Sequence, residues 1–218
     1  MPVATTFAAV SARAMGFTSK RSPRATYRVG YSYPLASGSP QAVSFSGASA
    51  GDLAIIFTEA VGSNTLSGWT QVGPLAWPVS FNDYMYTKVL DASDISTGSV
   101  TITGGALGST IGIAIYTGAT AATVKTSDTS VLSTLPLAGF TPAVNSVGVV
   151  SYCSDQSGSA SIGSPTGMVN RLSFSTSIIA SSLSDFLPPN TYTSGATVTW
   201  TGMAGFANTV GRLIELTV

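Results

Sequence analysis

Apolar and polar positions alternate with a period of two along most of this chain. In GDLAIIFTEAV, Leu53, Ile55 and Phe57 share one face, and Ala54, Ile56 and Thr58 share the other. A strand with apolar groups on both faces belongs inside a sheet or sandwich. In NDYMYTKVL, Tyr84 and Tyr86 alternate against Met85 and Val89. GSVTITGG supplies Val100 and Ile102. STIGIAIYTG sets Ile111, Ile113 and Ile115 against Gly112, Ala114 and Tyr116. Turn residues separate these runs at about the 8–12-residue spacing of a sandwich or barrel. No amphipathic helix of three or more turns is readable after residue 28.

The second half repeats the plan. SVGVVSYCSD matches GDLAIIFTEA, and TGMVNRL takes the place of SGWTQVGPL. FSTSIIASSLSDF follows as FNDYMYTKVLDASD does, GATVTWTG matches GSVTITGG, and ANTVGRLIEL matches STIGIAIYTG. The halves run over about 43–118 and 137–216. Either two similar sheets pack together or two small sandwiches lie in series. The polar link ATAATVKTSDTSVLSTLPL reads as an inter-strand loop or a short linker.

Residues 1–28 lack this alternation. A short helix over Thr6–Met15 would place Phe7, Val10 and Met15 on one face and end at Gly16. From residue 19 to 28 the composition reads as extended chain. The expected fold is all-β: a jelly-roll-like β-sandwich body over 29–218, preceded by an extended arm over 1–28.

Charge sharpens this division. Charged residues make up 8% of the chain, against roughly 25% in average soluble domains. Residues 1–51 hold five basic groups (Arg13, Lys20, Arg21, Arg24 and Arg28) and no acid. Residues 52–218 hold four basic groups and nine acids, a net of −5. The total of zero argues against nucleic acid as a partner of the whole chain. A basic arm on an acidic body suits protein contacts, with Arg13, Lys20, Arg21, Arg24 and Arg28 as cationic contacts and Phe7, Met15 and Phe17 as apolar anchors. So few charges leave sheet edges poorly guarded, which favours burial against sister subunits in a homo-oligomer.

Candidate chemistry is sparse. The chain has no histidine, so Ser-His-Asp and Cys-His systems and His-ligated zinc are excluded. GASAG, residues 47–51, fits the letter of a nucleophile elbow, but a strand follows it where a helix is required. It reads as a glycine turn. Asp83, Asp91 and Asp94 lack calcium-loop spacing, and Asp91 and Asp94 read as turn residues at a strand end. A glycan-cleaving site would need Asp83 and Asp94 to face one cleft. The single cysteine, Cys153, forbids an intrachain disulfide and reads as a buried small hydrophobe. No apolar run reaches the ~20 residues of a membrane span, and Arg13 and Gly16 interrupt the only patch that a secretory leader would use. Neither metal nor cofactor is expected. Among the aromatics, Trp69 reads as a core anchor. Trp77, Tyr84 and Tyr86 are candidates for contact with a ligand or another subunit, since a flat ring with a polar tip suits sugars and proteins alike.

The order ASAGDLAIIFTEAVGS…GWTQVG…YMYTKVLDASD…SVTIT…STIGIAIYTGA resembles a module of tailed-bacteriophage structural proteins. The residues that carry the likeness are Gly51, Asp52, Leu53, Gly68, Trp69, Thr70, Tyr86, Lys88, Ala92, Ser93, Asp94, Tyr116 and Gly118, with AAVSARAMGF as a second segment. The resemblance covers residues 8–17 and 43–118. It implies a non-enzymatic virion component, a tail or baseplate fibre subunit or a head decoration protein, assembled in the bacterial cytoplasm beside other virion proteins. By analogy with phage appendages the oligomer is expected to be a trimer. The competing expectation is a carbohydrate-binding module that recognises a host surface glycan.

Overall fold

The computed structural model describes residues 24–34, 40–61, 66–72, 75–76, 81–102, 110–130, 137–155, 161–176, 179–192, 200–201 and 209–218. In chain order the first half holds β1 (Thr26–Pro34), β2 (Gln41–Ser44), β3 (Leu53–Val61), β4 (Thr70–Gln71), β5 (Leu75–Ala76), β6 (Phe81–Val89), α1 (Ala92–Thr97), β7 (Ser99–Ile102) and β8 (Thr110–Thr117). The second half holds β9 (Ala121–Ser130), β10 (Val147–Asp155), β11 (Ser161–Ile162), β12 (Val169–Ser175), β13 (Ile179–Phe186), β14 (Trp200–Thr201) and β15 (Thr209–Thr217).

The protein is an all-β sandwich of two large antiparallel sheets with one repeated strand order, each flanked by a two-stranded ribbon, β2–β7 or β11–β14. The first sheet runs β1-β8-β3-β6-β4, with β5 also on β6, and the second runs β9-β15-β10-β13-β12. Position by position, β1, β8, β3, β6 and β4 correspond to β9, β15, β10, β13 and β12. The sheets face each other in opposite lateral order. β6 lies over β15 through Asp83 and Arg212, β8 lies over β13 through Tyr116 and Asp185, and β1 packs beside β12. Such an arrangement has a pseudo-two-fold axis along the strands, between β3 and β10. Of the two readings of the repeat, packed sheets is the one that holds.

Alternation dictates the layers. Leu53, Ile55, Phe57, Met85, Ala114 and Tyr116 meet Val147, Val149, Leu183, Ile214 and Leu216 in the inter-sheet core. The opposite face of the first sheet, with Ala54, Ile56, Ile111, Ile113 and Ile115, is covered by Val43 of β2, Phe45 and Ile102 of β7. That of the second sheet, with Val150, Tyr152, Ala180 and Leu213, is covered by Ile162 of β11, Leu137 and Tyr192. Each sheet is thus buried on both sides, which is why its central strands are apolar on both faces. At about 25 cal/mol per Å² of apolar surface removed from water, these layers supply the main stabilisation.

The repeat extends to its turns. Gly51 at φ 92° precedes β3, and Asn145 at φ 74° stands at the matching place before β10. In each turn the fourth residue donates to the first, Asp52 N to Ser49 O and Ser146 N to Ala143 O. A left-handed third residue demands Gly or Asn. The true alignment therefore sets Asn145 against Gly51, one residue away from the sequence match of Ser146 with Gly51.

Two expectations are corrected. The segment read as a loop or linker contains β9, a ten-residue edge strand paired with β15 from Ala121 to Ser130. Its polarity is that of an edge strand with exposed Thr123, Lys125 and Ser127, while Ala122 and Val124 pack on the core. The arm boundary at residue 28 also moves. β1 begins at Thr26, Ala25 is fully buried, and its N–H donates to Asn145 O at 3.2 Å. Tyr27, Val29, Tyr31 and Tyr33 carry the period of two that was read only from later residues. Among the described residues no helix is long and apolar enough to cross a membrane.

Candidate functional site

Among the described residues, a buried ionisable cluster lies inside the sandwich. Glu59 ends the inward face that Leu53, Ile55 and Phe57 begin on β3. The β3–β6 register places it opposite Asp83, and the β3–β8 register places it opposite Thr110. Thr110 donates from Oγ1 to Glu59 Oε2 and lies 3.3 Å from the Ser181 hydroxyl of β13. From the facing sheet, Arg212 of β15 reaches Asp83: Nη2 stands 3.1 Å from Oδ2 and donates to the backbone carbonyl at 2.7 Å. Cys153 of β10 completes the group, hydrogen-bonded with Glu59. Glu59, Asp83, Thr110, Cys153, Ser181 and Arg212 are all buried.

Burial governs the electrostatics. It pushes the Glu59 carboxyl up to about 7, and the charge of Asp83 opposite pushes the same way, against hydrogen bonds from Thr110, Cys153 and Ser181. Burial also raises Asp83, and Arg212 pulls it back. Because Arg212 sits on Asp83 and not on Glu59, Asp83 is the better placed of the two to carry negative charge and Glu59 to hold a proton. The Cys153 thiol is raised far above its ordinary range, by burial and then by Glu59, so it is no nucleophile at neutral pH. With all six members buried and drawn from both sheets, the cluster is a junction between the sheets.

The other described cations of the body are matched by acids one to one or in small local groups. Arg28 meets Asp52 at 3.0 Å, Arg171 meets Asp185 at 2.8 Å, and Lys125 meets Glu215 at 2.7 Å. Lys88 meets Asp94 at 2.6 Å and Asp91 at 3.8 Å. Every described Lys and Arg except Arg24 is thus in an ion pair, and Arg24 donates to Pro188 O at 3.4 Å.

The predicted site residues separate widely. Phe7, Arg13, Met15, Phe17, Lys20, Arg21 and Trp77 lie outside the described residues. Arg28 is no free docking cation, because Asp52, the Thr117 hydroxyl and Ser49 engage it. Tyr84 and Tyr86 stack at 6.3 Å between centroids and are buried beneath the β2–β7 ribbon, so neither ring face is open to a sugar. Trp69 packs half-buried beside Phe45. Asp83 lies near the start of β6 and Asp94 in α1 beyond its end, apart by roughly 20 Å at ~3.3 Å per residue of strand, too far to serve one cleft. Asp91 and Asp94 cap α1 reciprocally, each side chain accepting from the other's backbone N–H. Among the described residues no group of His, Cys, Asp or Glu is arranged to hold a metal ion.

Residues of the phage-like motif take structural positions. Gly51 makes the left-handed turn, Asp52 accepts from Ser49 N at 2.7 Å and from Thr117, and Leu53 enters the inter-sheet core. A groove of about 250 Å³ nearby is lined by Leu53, Thr70, Thr87, Lys88, Val89 and Ala122. Its one charge, Lys88, is already engaged by Asp94. Sequence reasoning did not single out Glu59 and Arg212. The signal was present: each interrupts an otherwise apolar inward face, Glu59 after Phe57 and Arg212 between Val210 and Ile214.

No family model, curated protein or solved structure matches this chain.

Proposed function

We propose that this chain is a non-enzymatic structural subunit of a tailed-phage particle, a tail or baseplate fibre or a head decoration protein. In this reading it docks through its basic N-terminal stretch and associates with copies of itself, as a trimer by analogy with phage appendages. The observation that carries the reading is the distribution of charge. The described cations of the body are engaged by its own acids, so cationic contact with a partner falls to Arg13, Lys20, Arg21 and Arg24. The resemblance over residues 43–118 supports the particle assignment, and its motif residues serve turns, caps and core.

The physical mechanism is that of a tether. Twenty-three extended residues reach up to ~80 Å at 3.3–3.6 Å each, enough to cross a neighbouring subunit. Their cations would steer the arm to acidic patches, adding specificity and association rate more than raw affinity. Phe7, Met15 and Phe17 would supply apolar anchors. The test is deletion of residues 1–23 in the phage that carries the gene. The truncated protein is expected to keep its melting temperature and to be missing from purified particles. Normal incorporation of the truncated protein would overturn the docking role.

A further inference from the structure

We infer that the Glu59–Asp83–Arg212 cluster is a proton-operated latch: one proton on the carboxyl pair holds this end of the sandwich closed, and its loss opens it. The geometry sets the charge balance. Two acids are register partners on adjacent strands and face inward together, an arrangement in which like charges destabilise. Opposite them stands one guanidinium, committed to Asp83 through both its carboxylate and its backbone carbonyl. The remaining described groups facing Glu59 are Thr110 of β8, Cys153 of β10 and Ser181 of β13, and none is charged. Closed and dry, the layer balances only when the pair carries one proton.

The latch spans both sheets. Its members come from β3, β6 and β8 on one side and β10, β13 and β15 on the other, so hydrating an ionised Glu59 requires the sheets to part there. Toward the other end, Lys125–Glu215 and Arg171–Asp185 are matched one to one. The carboxyl is raised to about 7 in the closed state and returns to about 4.3 when solvated. Closure is therefore fully favoured below the solvated value. It weakens as pH rises toward 7, by up to tenfold per pH unit, and levels off once both states are ionised. This holds whatever particle the protein belongs to.

Cys153 reports on the latch because it touches Glu59 and is the chain's only thiol. The experiment labels the folded, full-length protein with 4,4′-dithiodipyridine from pH 4.5 to 8.5. Each rate is divided by that of the same chain unfolded in guanidinium chloride at the same pH, which cancels thiolate formation. The expected ratio rises on the order of a hundredfold between pH 4.5 and 7 and is level above. In Glu59→Gln it stays low and flat. A flat wild-type ratio, or an unchanged slope in Glu59→Gln, overturns the latch. Amide hydrogen exchange of the wild type decides independently of whether the variant folds. Relative to intrinsic rates, amides around Cys153 and Arg212 are expected to open more at pH 7 than at pH 5, and those around Leu53 and Leu216 to change little. Equal change at both ends would mean global unfolding and would also overturn the proposal.

Discussion

Arg212 and Lys88 both pair with aspartates, yet they differ in what they hold. The Arg212 side chain is 1% exposed and Lys88 24%. Removing one member of a buried pair leaves the other uncompensated in a dry layer, which costs about 3–5 kcal/mol. A surface pair contributes about 0–1 kcal/mol after screening and side-chain entropy. Arg212→Ala is therefore expected to lose about 3–5 kcal/mol in urea unfolding at pH 6, and Lys88→Ala less than about 1 kcal/mol. Equal losses would contradict the assignment of Asp83 as the charged acid. At this scale sequence reading met its limit in Tyr84 and Tyr86. Their alternation with Met85 was legible, but whether the face they share meets solvent depends on β2 and β7, far away in the chain. Gly112 shows the same limit: a Cβ there would collide with the Phe57 ring, a neighbour contributed by β3.

Among the elements, the long central strands were legible and the edges were not. β3, β6, β8, β10 and β15 carry apolar groups at period two on faces that are both covered, so the pattern is strong. β9 is covered on one face only, and its Thr and Ser residues gave it the look of a loop. β1 was cut at residue 28 because Arg24 and Arg28 read as part of a basic arm. The β1–β8 register from Thr26 to Pro34 makes a prediction about truncation. Deleting residues 1–23 is expected to leave the sheets intact, whereas deleting 1–34 strips the edge strand from β8 and bares Ala114 and Tyr116. The longer deletion is expected to give insoluble protein or lose the cooperative thermal transition followed by circular dichroism. A cooperative melt near that of the full chain would show β1 to be dispensable.

For the whole molecule, the repeat decides stability. Each half supplies one of the two large sheets, and the inner core is shared between them, so neither half buries its inward face alone. Residues 24–118 and 119–218 expressed separately are expected to be unfolded or aggregated. Co-expressed, they should form a soluble complex of one copy each, measurable by size-exclusion chromatography with mass analysis. Independent folding of either half would mean that the halves are self-sufficient units. The shared core also explains why the latch belongs to the assembled sandwich: Glu59 and Asp83 come from one half and Arg212 and Cys153 from the other, so neither half contains the cluster.

By itself the sequence determined the all-β class, the central strands with their faces, the repeated order and the separation of a basic N-terminus from an acidic body. These follow from local periodicity and composition, which short-range backbone geometry converts directly into strands. Only the tertiary structure decided that the halves stack face to face, that β1 and β9 close matching edges, and that Glu59, Asp83 and Arg212 meet. Those outcomes depend on which surfaces find each other across more than a hundred residues of chain. Desolvation then turns that meeting into a shifted carboxyl, an effect that no spacing along the chain encodes.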